Sequence, residues 1–190
     1  MMGVSMNHNF LHRCLSVLLF LSILLPLPPA MAQGYSYTDP APKGVPVTSI
    51  VQLGPMNTTN YDVTITLLET VRGKTALERL QTAAPKPGYE YLLAHIRFAL
   101  QGRAVSDTSV FELGNSPFQW LAYSSQLKQY EGVTVPPPQP ALQGPVRSGL
   151  SVDGWVVLAV EQNEHEPLLV FDPSAGGATG RGNILFFKLY

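Results

Sequence analysis

The run Tyr89-Glu90-Tyr91-Leu92-Leu93-Ala94-His95-Ile96-Arg97-Phe98-Ala99-Leu100 decides the fold class. Side chains alternate faces along a strand, so Leu92, Ala94, Ile96, Phe98 and Leu100 share one side. Tyr91, Leu93, His95 and Arg97 share the other, the wetter one. A helix would scatter these five apolar residues around its axis, so the period of two predicts a long strand with one face in a core.

Working outward, Tyr61, Val63, Ile65 and Leu67 alternate with Asp62, Thr64 and Thr66, a second strand buried on one face. Val47–Leu53 reads as an edge strand. Shorter apolar runs follow at Ser109–Leu113, Phe118–Tyr123, Trp155–Val160, Leu168–Phe171 and Ile184–Tyr190. Turn-forming clusters separate them, among them Asn115-Ser116-Pro117 and Gly176-Gly177. One segment differs: from Lys74 to Ala84, Leu77, Leu80 and Ala84 recur at helical spacing, after Gly73 and before Pro85. Pro 17 and Gly 16 in 190 residues fit many turns rather than long helices. About seven short strands with one short helix predict an all-β, antiparallel β-sandwich over residues 46–190. Residues 33–45, with two prolines and no periodicity, read as a flexible leader.

Three stretches, taken in order, resemble a known family. They are the Thr-rich strand from Tyr61 to Gly73, Pro87-Gly88-Tyr89-Glu90-Tyr91-Leu92-Leu93-Ala94-His95-Ile96, and Val152-Asp153-Gly154-Trp155-Val156-Val157-Leu158-Ala159-Val160 with the closing Asn183–Tyr190. Together they resemble the telokin-like, immunoprotective-extracellular-protein-like domain of unknown function found in exported bacterial proteins and lipoproteins. The resemblance spans roughly Tyr61 to Tyr190 and implies an immunoglobulin-like sandwich; it carries no catalytic residues. The segment Ser124–Gly149 is longer and richer in proline than that family's pattern.

The first 32 residues read as an address. Arg13 precedes the apolar run Leu15–Leu25, which Pro26, Pro28 and Pro29 break before Ala30-Met31-Ala32. A positive flank, a short apolar run and small residues at −3 and −1 predict a secretory signal peptide cut after Ala32. The run is shorter than the roughly 20 apolar residues a membrane span needs. Cys14 precedes the apolar run, so the lipidation arrangement of many exported proteins is absent. The product after cleavage has no cysteine and no stable membrane span. The expected location is extracellular or periplasmic. Met1, Met2 and Met6 leave the initiator open.

Lys+Arg 12 against Asp+Glu 13 gives a net charge of −1, which removes the electrostatic grounds for nucleic-acid binding. With Arg13 gone the balance is 11 against 13, or −2. No cofactor motif is complete. Gly176–Gly182 lacks the Gly-Lys-Ser/Thr ending of a phosphate loop and precedes a strand instead of opening a helix. Asn57-Thr58-Thr59 fits a glycosylation sequon.

Several candidates for chemistry stand beside plainer readings. Ser125-Gln126-Leu127-Lys128 matches the S-x-x-K pattern of penicillin-interacting enzymes, but neither Ser-Asp-Asn nor Lys-Thr-Gly accompanies it. His95 sits inside a strand with no G-x-S-x-G elbow, so it reads as structural. Glu161, Glu164, His165 and Glu166 could hold a divalent cation. Their spacing matches no metal motif, so the segment reads as a solvated turn. Val135-Pro136-Pro137-Pro138-Gln139-Pro140 should be polyproline II, either a docking surface or a stiff spacer. Trp120 and Trp155 read as core residues, while Tyr35, Tyr37, Tyr123 and Tyr130 are candidates for a sugar-stacking face. The expectation is an exported, non-catalytic binding or interaction domain with no cofactor, whose partner is an extracellular or envelope protein or a glycan. The alternatives are an envelope hydrolase or metal-binding protein on Ser125/Lys128 or Glu161–Glu166, and a carbohydrate-binding module.

Overall fold

The computed structural model of the chain describes residues 33–53, 59–103, 110–113, 120–174 and 181–190. The signal peptide, the Asn57-Thr58 part of the sequon, Asn115-Ser116-Pro117 and Gly176–Gly180 lie outside them. In chain order the elements are β1 (Pro46–Leu53), β2 (Thr59–Arg72), helix α1 (Gly73–Leu80), β3 (Tyr89–Gly102), β4 (Val110–Leu113) and β5 (Trp120–Tyr123). They continue with β6 (Gly144–Arg147), β7 (Leu150–Glu161), β8 (Leu168–Phe171), β9 (Arg181–Gly182) and β10 (Leu185–Lys188).

The ladders are antiparallel and form three sheets, in the orders β7-β3-β2-β1-β9, β10-β8-β5 and β4-β6. Sheet packs on sheet in a sandwich-like arrangement, all-β with one short helix among the described residues. The larger sheet turns Tyr61, Ile65, Leu92, Ile96 and Phe98 inward, against Phe111 of β4, Trp120 of β5, Phe171 of β8 and Phe187 of β10. The alternation read along Tyr89–Leu100 is therefore the alternation that builds the core.

The opposite face of that sheet is less wet than the sequence suggests. Tyr91, Leu93, Trp155, Val71 and Ala76 form a second buried cluster beneath α1, closed by Leu77, Leu80, Val133 and Val135. Val71 reaches this side because the β2–β3 register shifts between Leu67 and Glu69, a bulge that exchanges the two faces. Gly73, at φ 64, then turns the chain into α1. A Cβ there would stand 2.8 Å from Glu90 Oε2, so both the backbone angle and the space favour glycine. The helix stops at Leu80 with Gln81 in the left-handed conformation, four residues short of the expected end. Ala83 and Ala84 are exposed, so a further turn would bury nothing.

Two other expectations change. The segment 33–45 is docked rather than a free leader: Ala41 is fully buried, and its N–H and C=O bond Phe186 C=O and Lys188 N–H at 2.9 Å each. Alternating contacts with a neighbouring strand need no periodicity of their own, so Pro and Gly hid this. β1 is also not a full edge, since Val51 and Gln52 pair with Gly182 and Arg181 of β9. The Pro-rich stretch beyond Tyr130 yields β6, a strand of sequence Gly-Pro-Val-Arg with too few residues to show a period.

Candidate functional site

Ser124–Lys128 and Glu161–Glu166, the two segments singled out for chemistry, face each other across one polar cleft of about 520 Å3. The first is a tight turn. Ser124, nearly buried, accepts the N–H groups of Gln126 and Lys128 on its Oγ, at 3.2 and 3.1 Å. Leu127 takes a positive φ of 61. S-x-x-K chemistry needs a helical turn that sets the Lys amine beside the Ser hydroxyl. Here the turn sends them to different carboxylates: Ser125 Oγ lies 3.4 Å from Glu164 Oε2, and Lys128 Nζ lies 2.7 Å from Glu161 Oε1.

Glu164 closes the loop. Its carboxylate accepts the backbone N–H groups of Ser125 (3.1 Å) and Glu166 (2.9 Å), with the Tyr130 hydroxyl at 3.5 Å. Burial works against its ionised form and is the largest single influence. The N–H groups of Glu166 and Ser125 and the two hydroxyls together outweigh it, so its pKa falls below the ordinary value. Glu161 is also lowered, chiefly by the hydrogen bond from Lys128, whose own pKa is raised by the same bond. Tyr130 is raised, first by burial and then by the charge of Glu164.

Arg72, at the end of β2, ties this loop to the sheet. Its Nε bonds Glu90 of β3, and its Nη2 donates to the carbonyls of Glu161 and Glu164. One planar fork thus serves three acceptors, a task a lysine cannot duplicate. Arg72→Lys and Arg72→Ala should each lower stability by about 1–2 kcal/mol, a thermal-midpoint loss of roughly 2–8 °C for a domain of this size. Differential scanning fluorimetry checks it. An unchanged midpoint would mean the loop does not depend on the arginine.

The depressed carboxyls also give a pH dependence with a definite sign. Glu161, Glu164 and Asp153, the last lowered mainly by its hydrogen bond from Arg97, bind protons less readily folded than unfolded. Their stabilisation is complete above the ordinary carboxylate range and disappears as pH falls through about 4 and below. The raised Lys128 acts oppositely: its share is complete at neutral pH and is lost above about pH 10.5. Thermal midpoints should be level between pH 6 and 8, then fall below about pH 4.5. Lys128→Met should reduce that acid dependence.

The other candidates separate in space. His165 is exposed, and no group of three or more His, Cys, Asp or Glu suited to a metal occurs among the described residues. His95 is half-buried and stacks on Trp155, with ring centroids 4.6 Å apart at 15°. The Arg79 guanidinium lies 5.2 Å from the same indole. Both tryptophans are buried, as their apolar surroundings suggest: Trp120 in the main core and Trp155 in the second cluster. Tyr130 is buried edge-on to Tyr89, and the Tyr123 hydroxyl is held by Gln129 at 3.0 Å. Tyr35 and Tyr37 are exposed on the 33–45 segment, with the Tyr35 hydroxyl donating to Thr48 C=O on β1. Two of the four tyrosines thus serve the β5 turn and do not present a stacking face. Arg72 escaped the sequence reading; its only signal was a cation just before a strand-ending glycine.

No protein-family model matches the chain, and no curated protein matches it. Among solved structures it is similar to the crystal structure of a "putative lipoprotein (ycdA)" from Bacillus subtilis subsp. subtilis str. 168, at 13% identity and a TM-score of 0.43. The similarity covers 66% of this chain and 35% of that one, so the chain spans about a third of the length of the protein it matches. No helix among the described residues is long and apolar enough to cross a membrane.

Proposed function

We propose that the chain is an exported, non-catalytic binding or interaction domain of immunoglobulin-like type, acting outside the cell or in the periplasm. The observation that carries the non-catalytic reading is the division of labour in the polar cleft. Ser125 and Lys128 are each engaged by a different glutamate and hold the 161–166 loop in place. A nucleophile needs its base within hydrogen-bond reach, and the base needs a free acceptor position. A protonated lysine bound to Glu161, with its pKa raised, is poorly suited to that role. The export reading rests on the pattern of residues 1–32, and the immunoglobulin-like reading on the family resemblance together with the antiparallel sandwich.

Expression of the full sequence in a bacterial host tests the export half. Intact mass of the protein from the periplasm or medium should begin at Gln33. A product that stays in the cytoplasm with residues 1–32 attached would overturn it.

A further inference from the structure

Strand β7 is an outer strand of the five-stranded sheet, in unbroken antiparallel register with β3 from Leu150↔Leu100 to Glu161↔Tyr89. Trp155 turns its backbone away from β3. Its N–H donates to Pro140 C=O at 2.8 Å, and its C=O accepts from Leu142 N–H at 3.0 Å. In such a pair the backbone groups point alternately inward and outward, so Val157 and Ala159 also face outward. No described residue outside the ladder bonds their N–H and C=O groups. These residues help to line a cleft of about 430 Å3, which the segment Val133–Pro137 walls on one side and Trp120–Ala122 on another.

We propose that this cleft is a strand-addition site that takes an extended, uncharged peptide segment of a partner protein. The segment pairs with Val157 and Ala159 and rests its apolar side chains on the Trp120, Leu142 and Pro137 walls. Three observations select this occupant. Two residues two apart offer a donor–acceptor pair repeated about every 7 Å, a spacing that an extended backbone reproduces. The ladder position at Trp155 is already filled by a piece of the chain itself, Pro140–Leu142, which bridges it in parallel through Ala141, so the addition continues a pairing that exists. Among the described residues, Glu131 is the only charged one lining the cleft, so a charged segment would gain little and lose its hydration. The proposal deepens the binding reading above and rests on it.

The test uses the 15N-labelled protein and a panel of acetylated, amidated hexapeptides built from Val, Ile, Thr, Ser and Asn. At least one peptide should shift and protect the Val157 and Ala159 amides against exchange. N-methylation of its alternate backbone nitrogens should weaken binding at least tenfold. Ala159→Pro removes one outward donor at a position where an edge strand tolerates proline. It should weaken binding at least tenfold with the melting temperature preserved; if that variant does not fold, the N-methylated peptide still decides. The proposal falls if no peptide protects these amides, or if N-methylation leaves affinity unchanged. It falls equally if the free protein dimerises through the same two amides. A glycan or other ligand that binds elsewhere would end strand addition while leaving the broader binding reading intact.

Discussion

Phe98→Ala is expected to destabilise the domain by about 4 kcal/mol, lowering the thermal midpoint by on the order of 10 °C. Phe98 is fully buried on β3. Its ring meets Phe111 of β4 with centroids 5.4 Å apart and Phe171 of β8 at 6.2 Å. One side chain therefore joins the five-stranded sheet to both smaller sheets. Alanine removes the transfer free energy of the ring and leaves a cavity between β strands that are hydrogen-bonded to other neighbours and cannot close over it. Phe98→Leu, which keeps most of the volume, should cost less than half as much. Denaturant titration measures both; a loss below about 1 kcal/mol for Phe98→Ala would show that the sheets do not share this core.

Gly154→Ala is expected to cost about 3 kcal/mol, although it adds a single methyl group. A Cβ at that position would stand 2.5 Å from Leu142 N, 2.6 Å from Leu142 Cα and 2.7 Å from Ala141 C. All three are backbone atoms, so no side chain can rotate away. The segment 140–142 must lift, which breaks its two hydrogen bonds to Trp155 and withdraws Leu142 from the core. Ser151→Ala, at the exposed start of the same strand, should change stability by less than about 0.5 kcal/mol. Hydrogen exchange gives a local reading: the Trp155 amide should lose protection in Gly154→Ala before the rest of β7. Full protection there would refute the close approach. If the segment lifts, the cleft beside Val157 should widen as well.

The period of two was legible wherever a strand was long. Leu92, Ala94, Ile96, Phe98 and Leu100 all enter the core, as do Tyr61, Val63, Ile65 and Leu67. The bulge at Leu68 was not legible, because its only consequence is that Val71 changes sides. β6 was missed because four residues containing Gly and Pro carry no pattern, and its pairing with β4 is fixed by tertiary context. The Gly154-Trp155 pair was recognisable as a motif, yet its reason lies in a segment a dozen residues away in sequence. In the polar cleft, residue types suggested chemistry but could not show orientation. Whether Lys128 faces Ser125 or Glu161 depends on a turn set by Ser124, and a serine in a turn has no distinctive spacing.

The measurement that most directly tests the account is intact-mass analysis of the exported protein after incubation with excess penicillin, beside Ser125→Ala. An S-x-x-K nucleophile would form an ester through Ser125 Oγ and hold the opened lactam as a covalent adduct. The account predicts an unchanged mass for both proteins, with Ser125 held by Glu164 and Lys128 by Glu161. An adduct on the native protein that maps to Ser125 and is absent from Ser125→Ala would contradict it.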